Sequence, residues 1–71
     1  MDVVILRTNI SHTKDFYFVK AHLERSFRLS ECTIDLDDSD KVVRLIGDNL
    51  SIDKINSHIV HLGFNSEELP D

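Results

Sequence analysis

The sequence contains a single cysteine, Cys32, among its 71 residues. One cysteine excludes an internal disulfide and a zinc site built from several thiolates. A chain of this length buries only about 60% of the surface that its unfolded form exposes, so small domains often depend on such cross-links. This chain has to depend on a well-packed core instead, and 41% of its residues are hydrophobic.

Long apolar runs and clustered basic residues are also lacking. No stretch approaches the ~18 apolar residues of a membrane span. The N-terminal segment MDVVILR has neither the basic region nor the cleavage site of a signal peptide. Eight basic and 13 acidic residues give a net charge of −5 and a pI near 5.1. We therefore expect no nucleic-acid partner, and the lone cysteine is consistent with a cytoplasmic location.

Groups that would carry catalysis are missing as well. The two glycines, Gly47 and Gly63, form no phosphate-binding loop, and no serine or cysteine has an evident base partner. The acidic run DLDDSD lacks the glycine and the glutamate that a calcium loop requires. We therefore expect that the protein is not an enzyme.

Hydrophobic periodicity divides the rest of the chain into strands and helices. Residues 3–8 (VVILRT) and 42–47 (VVRLIG) are aliphatic runs, and residues 30–37 alternate apolar and polar side chains, so all three are predicted strands. Two apolar stripes at helical spacing predict two helices. The stripes are Phe16, Val19, Leu23 and Phe27 in the first helix, and Ile52, Ile55, Ile59 and Leu62 in the second.

Polar residues and a glycine mark the ends of the helices. Ser11 or Thr13 is placed to cap the first helix, and Ser51 is placed to cap the second. Gly63 is typical of a helix C-terminus. These positions limit both helices to about the length of their apolar stripes.

A short strand is predicted over residues 64–69, ending at Pro70. The element order is therefore βαββαβ. This order predicts an α+β fold, the ferredoxin-like sandwich, with a four-stranded antiparallel sheet and two helices on one face. Residues 1–71 are expected to form a single domain.

Four segments resemble the motifs of the heavy-metal-associated domain, the small copper-chaperone family. They are residues 10–15 (ISHTKD), 32–35 (CTID), 41–47 (KVVRLIG) and 63–64 (GF). The resemblance covers nearly the whole chain and implies the same ferredoxin-like fold. It also implies that His12 and Asp15 stand where the family has the two cysteines of its Cys-x-x-Cys motif. Their neighbours in the implied metal loop are Ile10, Ser11 and Phe64.

Replacing both cysteines changes the chemistry that the resemblance implies. Cu(I) is selected by soft thiolates, whereas an imidazole and a carboxylate form a harder pair, and two ligands are fewer than zinc prefers. The favoured hypothesis is a domain with a degenerate metal loop, without a cofactor, that no longer carries Cu(I) and serves as a non-catalytic binding or assembly module. The alternative is a carrier or sensor of a divalent metal such as Zn or Ni, bound by His12 and Asp15.

The predicted sheet offers a second candidate site on the face that the helices leave open. The first and third strands are central neighbours in this topology, and four of their aliphatic side chains point away from the helices: Val3, Ile5, Val42 and Ile46. We expect them to meet as one apolar patch. Burying apolar surface contributes ~25 cal/mol per Å² to an association. The patch therefore predicts binding to a protein partner or self-association as a homodimer.

Overall fold

Two strand–helix–strand halves follow one another in the computed structural model, which describes residues 1–69. The elements are β1 (Asp2–Thr8), α1 (Thr13–Ser26), β2 (Arg28–Asp35), β3 (Val42–Asp48), α2 (Ile52–His61) and β4 (Ser66–Glu68). The strands form one antiparallel sheet, and the two helices lie on one face of it. The predicted ferredoxin-like sandwich is confirmed.

The strand order is β2-β3-β1-β4, so β1 and β3 are the central pair, as predicted. Their register places Val4 opposite Leu45 and Leu6 opposite Val43. These four side chains are buried beneath the helices. Because successive side chains of a strand alternate between faces, the intervening residues of β1 and β3 point to the open face.

The core lies between the sheet and the helices. Its buried apolar side chains come from β1, β2, β3, both helices and the β1–α1 loop: Val4, Leu6, Ile10, Phe16, Val19, Leu23, Cys32, Val43, Leu45, Ile55 and Ile59. Phe27 and Leu62 were predicted on the helical stripes, and each follows the last residue of its helix and packs half-buried against this core. Within residues 1–69, neither helix is long and apolar enough to cross a membrane.

The ends of α2 are formed by the residues predicted for them. Ser51 is the N-cap, and its hydroxyl accepts a hydrogen bond from a backbone N–H of the first turn. At the other end Gly63 has a φ of 99°, a conformation that favours glycine. Its N–H donates to the carbonyl of Val60, and the N–H of Phe64 donates to the carbonyl of Ile59. This pair of bonds is a Schellman motif, which satisfies the last carbonyls of the helix.

The start of α1 differs from the prediction. The N-cap residue is His12, and its side chain makes no capping hydrogen bond. Ser11 precedes this position and Thr13 is already the first helical residue, so the predicted cap at either residue is wrong. The helix begins without the side-chain acceptor that usually satisfies its first N–H groups.

Two strands also have different limits from those predicted. β2 begins at Arg28 rather than at residue 30, and a register irregularity between Leu29 and Glu31 leaves Ser30 outside the regular pairing. β4 is confined to Ser66–Glu68. The predicted end of this strand at Pro70 lies outside the described residues.

Candidate functional site

The β1–α1 loop, residues 9–12, is tied to the β2–β3 connection through Thr8. The Thr8 side chain is only 8% exposed. Its hydroxyl donates to the carbonyl of Lys41 over 2.8 Å and accepts from the N–H of Ile10 over 3.2 Å. The backbone N–H of Thr8 donates to the carbonyl of Asp40. One buried hydroxyl therefore links the start of the loop to the turn between the two neighbouring strands.

A second set of contacts fixes the loop from the side of α2. Ile10 is fully buried in the core. The side-chain oxygen of Asn9 accepts a hydrogen bond from the N–H of Asn65 over 2.8 Å. Phe64, which the resemblance places beside the metal loop, is half-buried against the same core. The loop is thus held by buried contacts at Thr8 and Ile10, and its remaining residues lie at the surface.

His12 and Asp15 are at the end of this loop, where α1 begins. Ser11 and His12 are exposed, and Asp15 is half-buried in the first helical turn, where the helix dipole favours a carboxylate. The carbonyl of His12 accepts the N–H of Phe16, the first bond of the helix. Among residues 1–69, no group of three or more His, Cys, Asp and Glu side chains is placed to hold one metal ion.

Cys32 is not part of the loop. It lies in the middle of β2, opposite Leu45, and is only 5% exposed. Desolvation by this burial raises the pKa of the Cys32 thiol from 9.0 to about 11, while Lys20 lowers it and Glu24 raises it to smaller extents. The sulfur is therefore a neutral thiol at physiological pH, whereas metals are bound by the thiolate.

The donor set of the loop does not fit Cu(I). Soft thiolates are the donors that select Cu(I), and the loop offers an imidazole and a carboxylate instead. The sulfur of Cys32 is buried and protonated. No step of copper transfer can be assigned to these side chains.

The open sheet face carries the four predicted interface residues, on the adjacent strands β1 and β3. Val3 lies opposite Ile46, and Val3 is 42% exposed. Ile5 lies opposite Arg44, so these positions continue the same area. Val42 lies beyond Arg44 on β3, and its partner on β1 is Arg7. The register therefore places Val3, Ile5 and Ile46 side by side, with Val42 diagonal to Ile5 at the edge of this group.

The exposed aromatic residues of α1 were not predicted from the sequence. Tyr17 is 59% exposed and Phe18 is 49% exposed, and neither belongs to the buried stripe of the helix. The ammonium of Lys20 lies 5.9 Å from the centre of the Tyr17 ring, and His22 packs edge-on against Phe18. The helical spacing that placed Phe16 in the core also placed its two aromatic neighbours outside it, so the signal was present in the sequence.

Comparison with known proteins identifies the fold and leaves the family open. No protein-family model and no curated protein matches the chain. Two solved structures match it over nearly their full length. The yeast copper transporter domain CCC2A, solved in solution in apo and Cu(I)-loaded states, is 24% identical, covers 97% of this chain and 96% of its own, and has a TM-score of 0.83.

The second match is the N-terminal domain of PacS from Synechocystis PCC6803. It is 7% identical, with a TM-score of 0.75 and coverage of 99% of this chain and 100% of its own. The chain therefore has the fold of small copper-transporter domains, as the sequence resemblance implied. At these identities the likeness concerns the fold alone.

Proposed function

We propose that the protein is a heavy-metal-associated-like domain that does not carry Cu(I) and serves as a non-catalytic docking module through its open sheet face. The observation that carries this proposal is the donor set of the β1–α1 loop. His12 and Asp15 occupy the positions that the resemblance assigns to the two cysteines. Soft thiolates select Cu(I), and neither residue supplies one.

The one cysteine of the chain does not replace the missing pair. Cys32 is buried on the inner side of β2, and its raised pKa keeps the thiol protonated. Thiolate formation would require the sheet and the helices to separate around it. A domain that keeps the fold without the metal site can still bind other proteins. The open sheet face offers the exposed Val3 and the half-buried Ile5 and Ile46 for such contacts.

The proposal is tested by titrating the reduced protein with Cu(I) against a competing chelator. We expect the chelator to retain the metal, and the variant with His12→Ala and Asp15→Ala to behave as the wild type does. Stoichiometric uptake that outcompetes the chelator would refute the proposal. Metal analysis of the protein as isolated gives an independent measurement of the same point.

The alternative function is a carrier or sensor of a divalent metal such as Zn(II) or Ni(II). His12 and Asp15 are the N-cap and a first-turn residue of α1, and side chains at this spacing lie on the same side of a helix. Two ligands leave the coordination of Zn(II) incomplete, so this function requires donors from a second molecule. Zn(II) or Ni(II) binding that is lost in His12→Ala would favour it over the docking module.

A further inference from the structure

Arg44 occupies the centre of the open sheet face. It is exposed on β3, and its neighbours along and across the strands are mostly uncharged: Val42, Ile46, Ile5 and Thr33. Arginine is enriched at the centres of protein interfaces, where it pairs with a carboxylate in apolar surroundings. This guanidinium is placed in such an environment.

The arginine of the neighbouring central strand, Arg7, is already paired. Its Nε lies 3.3 Å from a carboxylate oxygen of Asp40, and its Nη1 lies 3.6 Å from Glu67. In the described part of the chain no carboxylate lies within 4.0 Å of the Arg44 guanidinium. Of the two arginines that lie on the central strands β1 and β3, Arg44 is therefore the one whose charge is available to a bound molecule.

The same face also contains an available carboxylate. Glu31 is exposed on β2 directly opposite Ile46, and it forms no ion pair within residues 1–69. A two-fold symmetric interface uses one surface patch twice, so the patch has to contain both members of each complementary pair. The open face meets this condition, with Arg44 as an unpaired cation and Glu31 as an unpaired anion beside the apolar residues.

The register of the strands indicates how two copies fit together. Ile5 and Arg44 form one row across the sheet, and Val3, Ile46 and Glu31 form the next. A two-fold axis perpendicular to the strands, between these rows, would place each row over the other row of the second copy. Val3 of each copy would then lie over Ile5 of the other, and Glu31 of each would lie beside Arg44 of the other.

We infer that the open sheet face binds a second copy of this chain, and that reciprocal Arg44–Glu31 pairs fix the register of the dimer. This inference rests on the proposed docking function of the face and names the partner. The apolar residues Val3, Ile5 and Ile46 supply the buried area. The two charge pairs supply specificity, because opposite charges favour the register that brings Glu31 of each copy beside Arg44 of the other.

The test is sedimentation of the full chain and of charge-exchanged variants over a range of protein concentrations. Arg44→Glu and Glu31→Arg each place like charges in contact, so we expect each to weaken the dimer roughly tenfold or more. The double variant, which carries both substitutions, restores opposite charges and is expected to recover most of the wild-type affinity. The control variant Arg25→Glu, on the exposed side of α1, makes the same change in net charge as Arg44→Glu. It is expected to leave the dimer intact.

The possible results separate this inference from the function on which it rests. If the wild type is monomeric at high concentration, or if Arg44→Glu leaves a dimer unchanged, the reciprocal pairing is wrong. If a dimer also persists in the variant with Ile5→Glu and Ile46→Glu, the open face is not the docking surface and the proposed function fails with it. Val60→Glu, on the exposed side of α2, is the control for an added charge. Circular dichroism establishes that each variant is folded.

Discussion

The hydroxyl of Thr8 donates a hydrogen bond to the backbone carbonyl of Lys41, 33 residues away in the sequence, over 2.8 Å. The same oxygen accepts the N–H of Ile10. The β1–α1 loop thus has a fixed connection to the β2–β3 turn, although it lacks the cysteines that the resemblance leads one to expect. Hydrogen bonds of the scaffold therefore fix the start of the loop.

Removing this hydroxyl is therefore expected to destabilise the protein. Thr8→Val preserves the shape of the side chain but leaves the Lys41 carbonyl and the Ile10 N–H without their partner, at a cost of about 1–3 kcal/mol in the free energy of unfolding. Urea denaturation measures the change. Thr33→Val, on the exposed face of β2, is the matched control and is expected to change stability by less than about 0.5 kcal/mol. Equal effects of the two substitutions would show that the bonds of Thr8 contribute nothing specific.

Restoring sulfur to the loop is expected to restore Cu(I) binding. The variant with His12→Cys and Asp15→Cys supplies two thiols at the start of α1, where the helix dipole favours the thiolate. Its affinity for Cu(I) is expected to exceed that of the wild type by several orders of magnitude in the chelator competition, since thiolates are the ligands that select this ion.

A matched pair of cysteines on α2 separates the contribution of the loop to Cu(I) affinity from the contribution of the two thiols. His58→Cys with His61→Cys places two thiols at the same spacing on α2, within a helix instead of at its start. We expect this pair to bind Cu(I) more weakly than the loop pair. Equal affinities would mean that the loop contributes no geometry of its own, and failure of both pairs would contradict the resemblance on which the assignment of positions 12 and 15 depends.

The buried thiol of Cys32 predicts a dependence of stability on alkaline pH. Burial raises its pKa from 9.0 to about 11, so the folded state holds the proton more tightly than the unfolded state does. This contribution to stability is complete below pH 9.0 and is lost as the pH rises towards about 11.

Denaturation curves of the wild type and of Cys32→Ala, measured across this pH range, isolate the effect of the thiol. The wild type is expected to lose more stability than the variant between pH 9.0 and about 11. Parallel loss in both proteins would mean that the thiol is not desolvated.

The sequence was sufficient to predict the fold because each element carries a complete local pattern. Cys32 and Ile34 alternate with polar residues on β2, and Phe16, Val19 and Leu23 recur at helical spacing on α1. These patterns fix which side of an element is buried, and the element order then favours one arrangement of the sheet.

The details of the two candidate sites could not be predicted, because they depend on pairing between distant segments. Alternation shows that Ile5 and Val42 both face away from the helices, but only the register shows that Arg44 lies opposite Ile5. β1 and β3 are separated in the sequence by α1 and β2, so no local pattern sets the register between them.

The concealment of Cys32 also has a practical consequence. An alkylating reagent can reach this sulfur only when the strand around it opens. The rate at which Cys32 is modified therefore reports how often this part of the native structure unfolds locally. Alkylation of Cys32 therefore measures local opening of the native structure without an added label. For the same reason, oxidation in air cannot join two folded copies through this residue, so association seen without reductant would arise from surface contacts alone.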